Sequence, residues 1–66
     1  MTKIRELREA RELKSIDLAF SIKIHPAQLS QIERGRLAAS TRAKEALCSF
    51  FGVTGSELFN ENQIAI

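Results

Sequence analysis

Residues 15–34 read SIDLAFSIKIHPAQLSQIER, and their apolar residues recur at helical spacing on both sides of a short interruption. The first part predicts a helix that ends near Ile22, followed by a connection over residues 23–25. Pro26 begins a second helix, because a proline's missing N–H has no intrahelical partner to lose in the first turn. The inward positions of the two helices are Leu18, Ala19, Ile22, Leu29 and Ile32. Since Ala19 is small, we expect the two helices to cross closely.

Helical signals continue on both sides of this stretch. Thr2 is a candidate N-cap for a helix over about residues 2–12, and Ser15 is expected to cap the next helix. The helix that begins at Pro26 should stop at Gly35, which suits the left-handed conformation that often follows a helix.

The last third of the chain predicts two more helices. Ser40 is expected to cap a helix that runs through Phe51 and ends at Gly52. The inward residues of that helix are Ala43, Leu47, Cys48 and Phe51. Residues 54–57 have capping-box spacing and open a last short helix that carries Leu58 and Phe59. Strand signals are nearly absent, so the predicted fold class is all-α with five short helices.

Composition limits the function classes. A chain of 66 residues forms one domain. With one cysteine, Cys48, and one histidine, His25, it can form neither an internal disulfide nor a four-ligand zinc site. No nucleophile–base pair or glycine-rich phosphate loop is present, so we expect no enzyme activity, no cofactor and no small-molecule ligand. Cys48 is expected to be an inert core thiol.

Membrane and secretion signals are also missing. No apolar run approaches the roughly 20 residues that a membrane span requires. The amino-terminal residues 1–14 are too charged for the apolar region of a signal peptide. We therefore expect a soluble, cytoplasmic protein.

Positive charge is concentrated in the middle of the chain. The net charge is only +2, but residues 23–44 contain five basic residues and one acidic residue, which gives +4 there and −2 elsewhere. Such a local field suits a polyanionic partner. Charge alone nevertheless favours an unevenly charged, solvated surface over a polyanion-binding site.

At this point the chain resembles the Cro/XRE family of lambda-repressor-like DNA-binding domains. The resemblance covers roughly residues 4–58 and rests on family spacing across most of the chain. The matching residues are Leu7-Arg8, Leu18-Ala19, residues 29–35 (LSQIERG), Ser40, Leu47, Phe51-Gly52-Val53 and Glu57-Leu58. It implies a domain over residues 1–59 with the helix-turn-helix motif at residues 15–34, and a short tail at residues 60–66.

The resemblance implies that the chain binds double-stranded DNA with the helix that begins at Pro26. Gln28 and Gln31 are expected to pair with bases, and Ala27 to touch a thymine methyl group or serve as a spacer. His25, a poor capping residue, either contacts a phosphate or is a neutral turn residue. The remaining expected phosphate contacts are Ser15, Ser30, Arg34, Arg36 and Arg42.

Three residues depart from the family pattern. Ser15 replaces a glutamine that holds a phosphate, and Pro26 occupies a position that often contacts DNA. Lys23 replaces a glycine and would strain the turn by roughly 1–2 kcal/mol if its backbone is left-handed. These departures bear on operator specificity more than on the fold.

Arg8 and Glu33 lie on the inward sides of their helices, where a charge is costly unless it is paired. The family resemblance implies a salt bridge between these two positions. Such a bridge would fix the recognition helix in place and would read no bases.

The remaining expectations concern assembly and regulation. Four apolar residues have no obvious place in the core and are expected to form a homodimer interface: Phe50, Phe59, Ile64 and Ile66. The alternative is that Phe50 and Phe59 fold back onto their own domain while the tail frays. The expected function is a homodimeric repressor on a palindromic operator, and controller-like or antitoxin-like autoregulators use the same scaffold. The alternative is a protein-interaction module that keeps this fold without binding DNA.

Overall fold

The computed structural model describes all residues from 1 to 66, and it confirms an all-α fold of five helices. The helices are α1 (Lys3–Ala10), α2 (Ser15–Ile22), α3 (Pro26–Glu33), α4 (Thr41–Phe51) and α5 (Gly55–Leu58). One isolated antiparallel bridge joins Phe59 to Ala65. None of the helices combines the length and the apolar character that crossing a bilayer requires.

Most helix boundaries follow the predicted caps. The Thr2 hydroxyl accepts from the N–H of Arg5, and the Ser40 hydroxyl accepts from the N–H of Ala43 at 3.1 Å. At α5, the Glu57 carboxylate accepts from the backbone N–H of Thr54 at 2.7 Å. These side chains satisfy N–H groups that a helix leaves without internal partners.

Three boundaries differ from the prediction. α5 ends at Leu58, because Phe59 is extended with φ −132° and ψ 151°. α1 ends at Ala10, because the backbone of Glu12 turns into the left-handed region with φ 56°. Ser15 is the first residue of α2 and does not cap it; Lys14 is the N-cap residue and makes no side-chain capping bond. The serine therefore cannot supply the capping energy that the sequence suggested.

The core draws one or more large side chains from every helix. Six of them are fully buried: Ile4, Leu18, Leu29, Ile32, Leu47 and Leu58. Ala19 of α2 is also fully buried, and its small side chain lets the neighbouring helices pack closely. Cys48 is only half-buried against this core.

The turn between α2 and α3 contains a left-handed residue that is not glycine. Lys23 has φ 59° and ψ 44°, and its N–H donates to the carbonyl of Phe20. The Cβ of an L-residue is crowded in this conformation. The turn therefore lies at the predicted place. The backbone strain expected for a left-handed residue other than glycine is present at Lys23.

The predicted dimer surface is partly wrong, because residues 59–66 fold back onto their own domain. We call this segment the C-terminal hairpin. Phe59 is 3% exposed, and Ala65 is also buried. Ile64 is half-buried, and only Ile66 keeps a large exposed apolar surface. The bridge between Phe59 and Ala65 places these residues in the core, so Phe59 has no surface left for a partner.

Phe50 is also engaged within the chain. It is half-buried and lies edge-on to Phe51, with ring centroids 5.1 Å apart. The Arg11 guanidinium lies 5.5 Å from the Phe50 centroid and donates to the Phe50 carbonyl at 3.2 Å. Arg11 thus donates a hydrogen bond to one of the carbonyl groups that the end of α4 leaves without an internal partner.

Candidate nucleic-acid interface

α3 presents one polar face to solvent. Ala27, Gln31 and Arg34 are exposed and follow one another at i, i+4 and i+7, which places them along one line of the helix. Gln28 is exposed beside that line, and Ser30 is half-buried on its other flank. The opposite face is buried through Leu29, Ile32 and Glu33. α3 therefore separates a packed side from an unobstructed side.

His25 caps α3, although the sequence marked it as a poor capping residue. Its Nδ1 accepts from the backbone N–H of Ala27 at 3.1 Å. An accepting Nδ1 requires a neutral ring whose proton is on Nε2. The ring is exposed, so the Nε2–H donor remains available at the start of α3.

The carboxyl end of α3 is held by α1. The Arg8 Nη2 lies 2.7 Å from the Glu33 Oε1, and Arg8 Nε donates to the same oxygen at 2.8 Å. Arg8 Nη1 also donates to the carbonyl of Leu13 at 2.7 Å. The Thr2 hydroxyl donates to the backbone carbonyl of Glu33. Since Glu33 is 5% exposed, its charge is held by a specific partner away from water.

The end of α3 forms a Schellman-type motif. The N–H of Arg36 donates to the carbonyl of Gln31 at 2.9 Å, and the N–H of Gly35 donates to Ile32 at 3.0 Å. Gly35 has φ 74°, the left-handed conformation that this motif requires. The exposed Arg36 is therefore tied through the backbone to the turn of α3 that carries Gln31.

The other expected phosphate contacts differ in their exposure. Arg36 and Arg42 are exposed, in the loop after α3 and in the first turn of α4. Ser15 and Ser30 are half-buried, so less of their surface is free to meet a backbone. The exposed Lys14 lies beside Ser15 at the amino end of α2. Lys14 was not among the expected phosphate contacts.

Comparisons with known proteins place the chain in a family. A family model described as a helix-turn-helix domain matches residues 2–59. The chain belongs to the helix-turn-helix domain family. Within that family it is 38% identical over 56 residues to the HTH-type transcriptional regulator DdrOP3 of Deinococcus deserti. The match covers 85% of the chain but 43% of that regulator, so the chain spans less than half of its relative. The comparison with solved structures gave no match.

The family and the geometry together confirm the recognition made from the sequence. The helix-turn-helix comprises α2, the left-handed turn at Lys23, and α3. The proposed base-reading residues lie together on the exposed side of α3, and Arg36 joins them through the Schellman motif. The individual DNA contacts stay predictions.

Proposed function

We propose that this domain is a sequence-specific, double-stranded DNA-binding transcriptional regulator. The observation that carries the proposal is the exposed face of α3, which presents Gln28 and Gln31 while the opposite face is fully packed. A glutamine amide can donate to and accept from one adenine edge in the major groove. A helix held at both ends can present such amides in a fixed register.

The surrounding groups supply contacts to the DNA backbone. Arg36 is exposed in the loop that follows α3, and Arg42 is exposed in the first turn of α4. Arg34 lies at the carboxyl end of α3. Contacts of this kind add affinity for any duplex and fix the orientation of the domain. The Nε2–H of His25, left free by the capping bond, is a further donor at the start of α3.

The finer proposal is a homodimeric repressor. α3 has eight residues and exposes only a few side chains that can reach bases. Two copies related by a two-fold axis would read two half-sites about 34 Å apart and so multiply specificity. Occupying a palindromic operator would exclude polymerase, and the protein would act in the cytoplasm beside its DNA. The name of the Deinococcus regulator supports a regulatory role.

A protein-interaction module without DNA binding is the second candidate. It is favoured by an apolar stripe on the outer face of α2, where Ile16 is 47% exposed and Phe20 is 69% exposed. The two residues are one helical turn apart, so their side chains are neighbours. A scaffold that binds only protein would need no polar reading face on α3.

Site selection from a random duplex library tests the proposal directly. We expect an enriched palindromic motif, and binding to random duplex that weakens steeply with salt. Sedimentation of the protein alone and with the selected duplex would give the stoichiometry. Failure to enrich any motif, together with no salt-dependent duplex binding, would favour the interaction module. A single enriched half-site bound by one copy would contradict the homodimer.

A further inference from the structure

We infer that the C-terminal hairpin, residues 59–66, positions the DNA-binding surface by clamping the loop that carries Arg36. This inference rests on the proposed function. The hairpin is far from α3 in sequence, and neither the family pattern nor the charge pattern pointed to it.

The hairpin lies close to one end of the Arg36 loop and is hydrogen-bonded to the other end. At the first end, a Cβ placed on Gly35 would lie 3.3 Å from the carbonyl oxygen of Ala65 and 3.8 Å from Ile64 Cγ2. At the other end, the N–H of Ala39 donates to the carbonyl of Gln63 at 2.9 Å. Gly35 and Ala39 bracket the loop, so its path depends on where the hairpin lies.

The hairpin is itself anchored to the rest of the domain. The N–H of Ile66 donates to the carbonyl of Leu58 at 3.0 Å, at the end of α5. The N–H of Lys3 donates to the carbonyl of Ile66 at 2.7 Å, at the start of α1. The same end of α1 holds α3, because the Thr2 hydroxyl donates to the Glu33 carbonyl. Backbone hydrogen bonds and the Thr2 side chain therefore connect the hairpin, the start of α1 and the end of α3.

Asn60 closes the hairpin turn with its side chain. Its Oδ1 accepts from the N–H of Asn62 at 2.9 Å and from the N–H of Ile64 at 3.0 Å. Its own N–H donates to the carbonyl of Ile64 at 2.9 Å. The exposed side-chain amide of Asn60 thus stabilises the turn of the hairpin, and Gln63 in the same turn is hydrogen-bonded to the Arg36 loop.

The conformation of Gln63 carries local costs. Gln63 has φ 63°, and its buried Oε1 has no hydrogen-bond partner. Strained or unsatisfied groups persist where the surrounding structure over-determines them. The Gln63 carbonyl is the group that accepts from Ala39, so the strained residue is also the one that holds the loop.

The test opens the turn without touching the DNA-facing residues. Asn60→Ala removes the accepting Oδ1, and Asn62→Ala is the matched control, because the Asn62 side chain makes no hydrogen bond while its backbone N–H is retained. Asn60→Asp keeps an acceptor and should rescue the turn. Each variant would be measured for affinity to the selected and random duplexes, for unfolding by urea, and for hydrogen exchange of the Ala39 and Arg36 amides.

We expect Asn60→Ala to remain folded at 25 °C, to exchange the Ala39 and Arg36 amides at least tenfold faster, and to lose at least fivefold of its affinity for both the selected and the random duplex, because the loop supplies a contact to the DNA backbone. Asn62→Ala and Asn60→Asp should keep wild-type affinity within twofold. A purely structural hairpin would lower the urea midpoint and leave the affinity for both duplexes unchanged, which would overturn the inference. An equal loss of affinity in Asn62→Ala would also overturn it. If the wild type binds no duplex at all, the proposed function fails instead.

Discussion

Arg8 on α1 holds Glu33, the one buried charged residue of α3, through Nη2 and Nε contacts of 2.7 and 2.8 Å to the same carboxylate oxygen. A third bond from Nη1 to the Leu13 carbonyl ties the segment that leads into α2. One guanidinium therefore connects α1, the entrance to α2 and the last turn of α3. This relationship explains how an eight-residue helix can be held rigidly while exposing one entire face.

Removing this guanidinium should be severely destabilising. Arg8→Ala strands the buried Glu33 carboxylate, so we expect it to lower the free energy of unfolding by about 3–5 kcal/mol. Urea denaturation followed by circular dichroism checks this. Arg5→Ala is the matched control: Arg5 pairs with Glu9 at 2.8 Å, but both residues are exposed. Exposed pairs contribute little. Similar decreases in the free energy of unfolding for the two variants would mean that the Arg8–Glu33 pair contributes no more than an exposed pair.

The sequence predicted the elements whose signals are local. Thr2 and Ser40 cap helices where their types suggest, and Gly52 ends α4 in the left-handed conformation with φ 68°. These outcomes depend on a residue and its neighbours within one turn. The exposed face of α3 was equally predictable, because helical periodicity separates its buried and exposed positions.

The backbone contacts of the C-terminal hairpin were not predicted, whereas the Arg8–Glu33 pair was implied by the family resemblance. The Phe59–Ala65 bridge and the Gln63–Ala39 bond are backbone contacts, which leave no periodic side-chain pattern. α1 was predicted too long, since nothing local indicates that the backbone of Glu12 turns into the left-handed region. Phe59 and Ile64 looked surplus because no side-chain pattern indicates that residues 59–66 fold back onto the domain.

The left-handed turn offers a stabilising substitution. Lys23→Gly removes the crowded Cβ at φ 59°. After the entropy cost of glycine in the unfolded chain is subtracted, we expect a gain of up to about 1 kcal/mol in unfolding free energy. Lys23→Ala is the control, because it removes the same charge and leaves the strain. A urea midpoint for the glycine variant no higher than that of the alanine variant would contradict the strain.

Cys48 should react slowly in the folded protein. Burial raises the pKa of its thiol, Lys44 lowers it and Glu57 raises it again, with burial the largest effect. The reactive thiolate is therefore scarcer than in the unfolded chain at neutral pH. We expect the pH midpoint of iodoacetamide alkylation to lie higher for native protein than for protein in urea. Equal midpoints would contradict the burial effect.

The raised pKa of Cys48 also predicts how the free energy of unfolding changes with pH. Because the folded pKa of Cys48 is raised, the folded state retains the proton more tightly. Stability should therefore fall as pH rises past the unfolded thiol's pKa of about 8.5. Cys48→Ala should lack this contribution.

Arg36 should act through charge and independently of sequence. Arg36→Ala is expected to weaken binding to selected and random duplexes by the same factor, and to reduce the slope of log K against log salt by about 0.9. Titrations at four or more salt concentrations measure the slope. Arg11→Ala removes the same charge from a guanidinium that is engaged with α4 carbonyls, so its slope should match wild type. An unchanged slope for Arg36→Ala would remove Arg36 from the backbone contacts.

Gln31 is expected to contribute to binding of the selected DNA site and not to binding of random duplex. It lies at the centre of the exposed line of α3, between Ala27 and Arg34, and its carbonyl anchors the N–H of Arg36. Truncating its side chain leaves that backbone bond intact. We therefore expect Gln31→Ala to cost about 1–3 kcal/mol on the selected site and almost nothing on random duplex. Repeating the site selection with the variant should show relaxed preference at one base pair of each half-site.

Two further variants complete the test of Gln31. Gln28→Ala should relax a different base pair, because Gln28 lies beside the line rather than on it. Ser49→Ala, a neutral change on the exposed surface of α4, should leave the selected motif unchanged. If Gln31→Ala loses equally on selected and random duplexes, its amide contacts the backbone and reads no base. If the motif survives both glutamine variants, α3 is not the helix that reads the operator.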